Sequence, residues 1–385
     1  MLENIEKTLD LLEEKYISIW EDICNIESQT CDKSGVDAVG NYCAELGKKL
    51  GYLVEVKEIN SAGNIVVLTM NAASDKKPFS LSGHMDTVHP KGLFGYPPVK
   101  IRDGKIFGPG TIDCKGGIVA GLYAMEAMSL CAFDKRPVMM ILQSDEEGGS
   151  SQSNKETINY ICEKAKNSVG FLNLEGFTTP EYCCIQRKGI ITYKFTVTGI
   201  EAHSSECAKR GANAILDAAL KIAEIENIKD DEGLTCNTGT IVGGSVPNTV
   251  AGSCEFNVNV RFATAEQKAW IDEFMHTLAK KEHVKGCKCT VEIATTRLAM
   301  EYSERNVEFL DKVNRALKKD GIQTMKGAIR KGGSDAAEIT AAGIPCIDSV
   351  GVSGGGIHSN REFANIDSLK FSAKRIVSII SNFEE

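Results

Sequence analysis

Near Ile191 the chain changes its pattern, and near residue 298 it changes back. Before the change, strand-like runs (YLVEVKEI, NIVVLTM, FSLSG, RPVMMILQ, SVGFLNLEG) alternate with helical stretches such as DCKGGIVAGLYAMEAMSL. That alternation predicts an α/β fold: a mixed, mostly parallel sheet flanked by helices. After the change, ITYKFTVTG alternates, followed by helix GANAILDAALKIAEIE, runs CNTGTIVGG and SCEFNVNVRFA, helix AEQKAWIDEFMHTLAKK and run CTVEIATT. Strand, helix, strand, strand, helix, strand is an α+β unit able to form its own layer. The tail then returns to the first pattern with RNVEFLDKVNRALKKDG, SDAAEITAAG, IPCIDSVG and IDSLKFSAKRIVSIISNF. The expected organisation is one domain over 1–187 and 298–385, interrupted by an inserted α+β domain over 188–297. A chain of 385 residues is long enough for two cores.

Composition narrows the function. A net charge of −8, with no basic tract, argues against nucleic acid as a partner. The N-terminal stretch MLENIEKTLDLLEEKYISIWEDICNIES is an acid-studded amphipathic helix without the features of a secretion signal. No run approaches the ~20 apolar residues of a membrane span, so a cytoplasmic chain is expected. The fourteen cysteines are irregularly spaced, and YCCI and GCKC match no zinc-finger pattern. They are expected to be reduced, mostly buried thiols.

LSGHMDTVHP places His84 and Asp86 at the end of a probable buried strand. Alone, His-x-Asp is most simply a hydrogen-bonded core pair. Four further pieces change the balance: FGPGTIDCKGG with Asp113, ILQSDEEGGS with Asp145, Glu146 and Glu147, FLNLEG with Glu175, and GGGIHSNREF with His358. Taken singly, each acid is a turn residue or helix cap. Taken together, five strand-end or loop sites carry His or carboxylate, which capping alone does not explain. Zinc takes about four ligands of this kind. Two zincs a few ångströms apart need a shared anion between them. His84 with Glu175 can hold one, His358 with Glu147 the other, and Asp113 can bridge. Asp86 then stands behind His84, and Glu146 is left as general base.

GHMDTV, GPGTIDCKGG, SDEEGGS, LEG and GIHSN stand in the order and context found in the co-catalytic zinc exopeptidases, which include glutamate carboxypeptidase, aminoacylase, acetylornithine deacetylase and succinyl-diaminopimelate desuccinylase. The resemblance covers nearly the whole chain and most closely looks like the glutamate carboxypeptidase type. It implies two Zn²⁺ per chain, with Co²⁺ or Mn²⁺ as substitutes, held by His84, Asp113, Glu147, Glu175 and His358. It implies Glu146 as general base, Asp86 as the orienter of His84, and a cis peptide after Asp113. The inserted domain becomes a lid and dimerisation domain. In it GIEAHSS resembles the motif whose histidine, here His203, reaches the partner subunit's active site and stabilises the oxyanion. Asn248, Arg261 and Arg297 resemble residues that grip a substrate carboxylate. The implied enzyme is a homodimeric hydrolase of small peptides or N-acyl amino acids with a free carboxylate. The rival substrate class is an N-acetyl- or N-succinyl-diamino acid. A metal-bound scaffold without catalysis is opposed by the intact Glu146, and a thiol hydrolase by the lack of a recognisable Cys–His pair.

Overall fold

The computed structural model describes residues 2–229 and 233–384. Two compact units emerge, one of Met1–Gln186, Tyr302–Ile329 and Ser334–Glu385, the other of Arg187–Glu301 and Arg330–Gly333. The second reaches past the expected boundary at 297 because Ala299 packs into its core and the Lys188 N–H donates to the Arg330 carbonyl.

In the first unit, VMMILQ and FSLSGH are buried at every position, as runs covered on both faces must be. Strands Val138–Gln143, Phe79–His84, Gly170–Asn173 and Cys346–Asp348 lie side by side and parallel. The flanking strands Ile65–Met70, Leu53–Lys57 and Tyr182–Arg187 run antiparallel, so the parallel character is confined to the centre. Helix Lys115–Leu130 is buried from Lys115 through Met128, packed between that sheet and the helices Leu2–Asn25 and Asp367–Asn382. Helices Lys33–Lys49 and Glu156–Ala165 were not foreseen from the sequence. A small third sheet, also unforeseen, joins Gly354–Gly355, Phe363–Asn365, Lys105–Phe107 and Lys100–Arg102.

The Gly-Gly start of the central helix has a steric reason. A Cβ at Gly117 would lie 1.9 Å from the Leu174 carbonyl oxygen, backbone that cannot yield cheaply. The helix thereby comes close to the chain that leads to Glu175. Gly117→Ala is expected to lower stability by about 1–3 kcal/mol, read as a lower urea midpoint, and a native midpoint would refute the contact.

The second unit is an antiparallel sheet in the order Thr235–Gly243, Ser253–Phe262, Gly189–Thr198, Lys288–Arg297. Gly189–Thr198 alternates buried and half-buried residues, so one face packs on a core while the other is partly open. Helices Ala214–Glu226 and Ala265–Lys280 contribute to that core, capped at their starts by the side chains of Asn213 and Thr264. Among the described residues, no helix is long and apolar enough to cross a membrane. All fourteen cysteines are free thiols, and only Cys31 and Cys207 are exposed.

Candidate metal centre

The parallel strands end together, with His84, Glu146, Glu147 and Glu175 at or just beyond their ends, while Asp113 and His358 come from loops of the small third sheet. His84 closes its strand and is buried. Its Nδ1 lies 3.0 Å from the backbone carbonyl of Asp86 and 3.5 Å from the Asp86 carboxylate. With Nδ1–H donating, Nε2 is the nitrogen left to accept or ligate. The Asp86 carboxylate is occupied elsewhere: its two oxygens accept the backbone N–H groups of Glu146 and Glu147, each at 3.1 Å, and the Thr30 hydroxyl at 2.8 Å. Asp86 therefore contacts more than the His84 ring. It pins the turn that follows Val138–Gln143 and carries the two glutamates. Asp145 faces away from this, accepting from the Ser153 N–H (2.9 Å) and the Thr157 hydroxyl (2.5 Å).

Asp113 stands between the two imidazoles. Its Oδ1 is 3.2 Å from His84 Nε2, and its Oδ2 is 3.3 Å from His358 Nε2. Glu175 Oε1 lies 3.6 Å from His84 Nε2, and Glu147 Oε2 lies 3.1 Å from His358 Nε2. Glu146 is the outlier, 4.0 Å from His84 Nε2. The Asp113–Cys114 peptide is cis. Among the described residues, donor atoms of His84, Asp113 and Glu147 cluster within 4.8 Å, as do those of His84, Cys114 and Glu175. Cys114 was not foreseen there, and its thiol donates to the Leu174 carbonyl at 3.3 Å.

Acids outnumber imidazoles here, and the proton equilibria show the imbalance. Burial pushes the Glu175 carboxyl well above its ordinary range, with the charge of Asp113 adding to the effect. Burial pushes Glu147 up to about 7, against the hydrogen bond from His358. Asp113 moves the other way, because bonds from His358 and His84 overcome its burial. Bonds to Asp113 and Glu147 raise His358 to about 10. Against the pull of burial, the charge of Cys114 and bonds to Asp113 and Asp86 hold His84 well above its ordinary value. A pocket that draws protons onto its histidines and glutamates is short of positive charge, which a divalent cation would supply. The donors, imidazole nitrogen and carboxylate oxygen, suit zinc, cobalt or manganese.

The remaining expected residues lie in the second unit. The Ser204 N–H donates to the Asn248 carbonyl at 3.0 Å, which lays the His203 and Asn248 loops side by side. His203 Nδ1 accepts the Ser205 N–H at 3.3 Å. That leaves the proton on Nε2, at the free end of an exposed ring. Arg261 and Arg297 both pair in register with Ile190, so they flank it on one face of the sheet. Burial and the charge of Arg297 depress the Arg261 pKa, and two such cations side by side favour an anion between them.

The Peptidase_M20 profile, peptidase family M20/M25/M40, matches residues 80–382. Carboxypeptidase G2 of Pseudomonas sp. (strain RS-16) is 29% identical over 363 residues, covering 92% of this chain and 85% of that protein. Succinyl-diaminopimelate desuccinylase of Rickettsia canadensis is 30% identical over 271 residues, 64% of this chain and 68% of that protein. Among solved structures, aminopeptidase PepT from Bacillus cereus shares the fold, with a TM-score of 0.79 at 21% identity over 96% of this chain and 98% of that one. The metallo-carboxypeptidase Sso-CP2 from Sulfolobus solfataricus shares it too, with a TM-score of 0.73 at 16% identity over 95% and 98%. Ordered motifs, fold and profile agree, and the chain belongs to peptidase family M20/M25/M40 as a hydrolase of the metallopeptidase kind.

Proposed function

We propose that this chain hydrolyses the amide bond of small peptides or N-acyl amino acids bearing a free carboxylate. His84 and Glu175 would hold one divalent ion, His358 and Glu147 a second, with Asp113 serving both; Zn²⁺ is the ion we infer, with Co²⁺ or Mn²⁺ as substitutes. The observation that carries the reading is Asp113, one oxygen 3.2 Å from the first imidazole and the other 3.3 Å from the second. Ions bound there would acidify a water and polarise the scissile carbonyl. Glu146 takes the proton of the attacking water and returns it to the leaving nitrogen. Asp86 keeps Glu146 and Glu147 in place through their backbone N–H groups. His203 offers its Nε2–H to the developing oxyanion. Asn248, Arg261 and Arg297 hold the substrate's carboxylate, a task suited to guanidinium forks.

The active form is proposed to be a dimer of two copies joined through the second unit. Edge strand Thr235–Gly243 leaves Ile241 and Val242 at 50% and 76% exposure, and helix Ala214–Glu226 leaves Ile215, Leu216 and Leu220 exposed. The two sets are contiguous, since a Cβ at Gly243 would touch Ile215 at 3.0 Å. An unpaired edge with apolar neighbours supports pairing with a second chain. The wealth of free thiols suits a reducing cytoplasm.

The name of the Pseudomonas relative supports the carboxypeptidase reading, and those of the desuccinylases support the rival, a deacylase of N-acetyl- or N-succinyl-diamino acids. A panel of dipeptides, N-acyl amino acids and these diamino acids decides between them. Exhaustive chelation is expected to abolish turnover and added Zn²⁺ to restore it; full activity in metal-free protein would refute the metal reading. Capping the substrate carboxylate as an amide is expected to cut kcat/KM by at least ~10-fold, from the loss of one charged hydrogen bond or more. Equal hydrolysis of acid and amide would refute the arginine grip.

A further inference from the structure

One buried carboxylate outside the metal-facing set joins three of the segments that build it. Glu362 is wholly buried. Its Oε1 accepts the backbone N–H groups of Ile112 (3.0 Å) and Asp113 (3.1 Å). Its Oε2 accepts the Gly110 N–H at 3.2 Å and lies 2.6 Å from His89 Nε2. His89 belongs to the segment leaving His84 and Asp86, and its ring meets Phe94 edge-on at 4.9 Å. Glu362 itself stands at the foot of the hairpin that bears His358. There Gly354–Gly355 pairs with Phe363–Asn365, which in turn pairs with Lys105–Phe107, the strand leading into the Asp113 loop.

A carboxylate offers about four acceptor positions, and here four donors meet them. Three of those donors are backbone N–H groups of a loop with no strand partner to satisfy them, and unmet buried N–H groups are costly. The loop's path past the two imidazoles is thus written largely by one side chain. We propose that Glu362 is a positioning residue for the metal centre. It sets the backbone that presents Asp113 to both histidines, and through His89 it ties the His84 segment to the His358 hairpin. This rests on the reading of Asp113 as the shared ligand.

Glu362→Gln keeps the shape but replaces one accepting oxygen with a donating NH₂ group, which opposes the Gly110 N–H and His89. In folded variant protein, judged by circular dichroism, Zn²⁺ affinity measured against a chromogenic chelator is expected to fall roughly 10–100-fold. At saturating metal, kcat is expected to fall by a similar factor while KM stays within about twofold, and the visible spectrum of the Co²⁺-loaded protein should change. His89→Ala should move affinity in the same direction by less, and His89→Gln, which restores a donor, should recover most of the loss. A lower melting temperature with native Zn²⁺ affinity and native kcat would make Glu362 a fold residue only and overturn the proposal. If Glu362→Gln does not fold, the His89 pair decides: native affinity in His89→Ala overturns it. Native protein that takes up no Zn²⁺ would refute the metal reading itself, and this proposal with it. Tight binding by the native protein together with unchanged binding by the variants refutes this proposal alone.

Discussion

Glu146→Gln should leave both ions bound and lower turnover at least ~100-fold, the range of general-base catalysis. Glutamine keeps the size of the side chain and the backbone N–H that donates to Asp86 at 3.1 Å, so the turn stays in place. What it loses is the capacity to take a proton from water. Glu146 is also the acid set farthest from the imidazoles, 4.0 Å from His84, while Glu147 stands 3.1 Å from His358. Adjacent residues with the same side chain are therefore expected to fail differently. Glu147→Gln should lose metal first, and its activity should recover in part when metal is raised. The measurement is kcat alongside metal content by elemental analysis. Near-native turnover in metal-replete Glu146→Gln would remove Glu146 as the base.

Mixing two dead proteins should restore activity. If each copy lends His203 to its neighbour's site, both His203→Ala and Glu146→Ala homodimers are nearly inactive. After dissociation and reassembly, a mixed dimer has one site with Glu146 from its own chain and His203 from the other, and one site lacking both. Random pairing makes about half the dimers mixed with one working site each, so roughly a quarter of native activity returns. If His203 served its own chain, each site of the mixed dimer would carry one defect and nothing would return. No recovery despite demonstrated subunit exchange refutes the shared site. The Ser205 N–H on His203 Nδ1 favours the tautomer with its proton on Nε2, which makes the ring a ready donor.

The clustered histidines and acids were legible because each sits where a local signal changes. His84 and Glu175 follow buried runs, Glu146 and Glu147 follow VMMILQ, and Asp113 and His358 fall in glycine-rich loops. Helix Lys33–Lys49 was missed because its buried face is Val36, Val39, Gly40, Cys43, Ala44 and Gly47. The spacing is helical, but small residues and glycines mute the amphipathic contrast. The third sheet was missed because strands of two or three residues are too short to show a period of two. The hold of Asp86 on Glu146 and Glu147 runs through backbone groups, which leave no mark on side-chain pattern. His89 and Glu362 are 273 residues apart, and nothing local in either stretch announces the other. The clustered side chains were readable, and the hydrogen bonds that hold their loops were not.

The deeply buried thiols give the chain a chemical memory of whether it has ever unfolded. In the native state burial pushes Cys24, Cys43, Cys183 and Cys236 up to about 12, so almost none of each is the reactive thiolate at neutral pH. Unfolding returns them to about 8.5, which raises the thiolate fraction by more than about a thousandfold. Nucleophiles that were inert become competent to oxidise and cross-link within one chain or between chains. Folding therefore shields these four thiols, and oxidation of an opened chain would hinder its return. Wherever oxidation outpaces refolding, durability outside a reductant follows how often the chain opens rather than how favourable the folded state is.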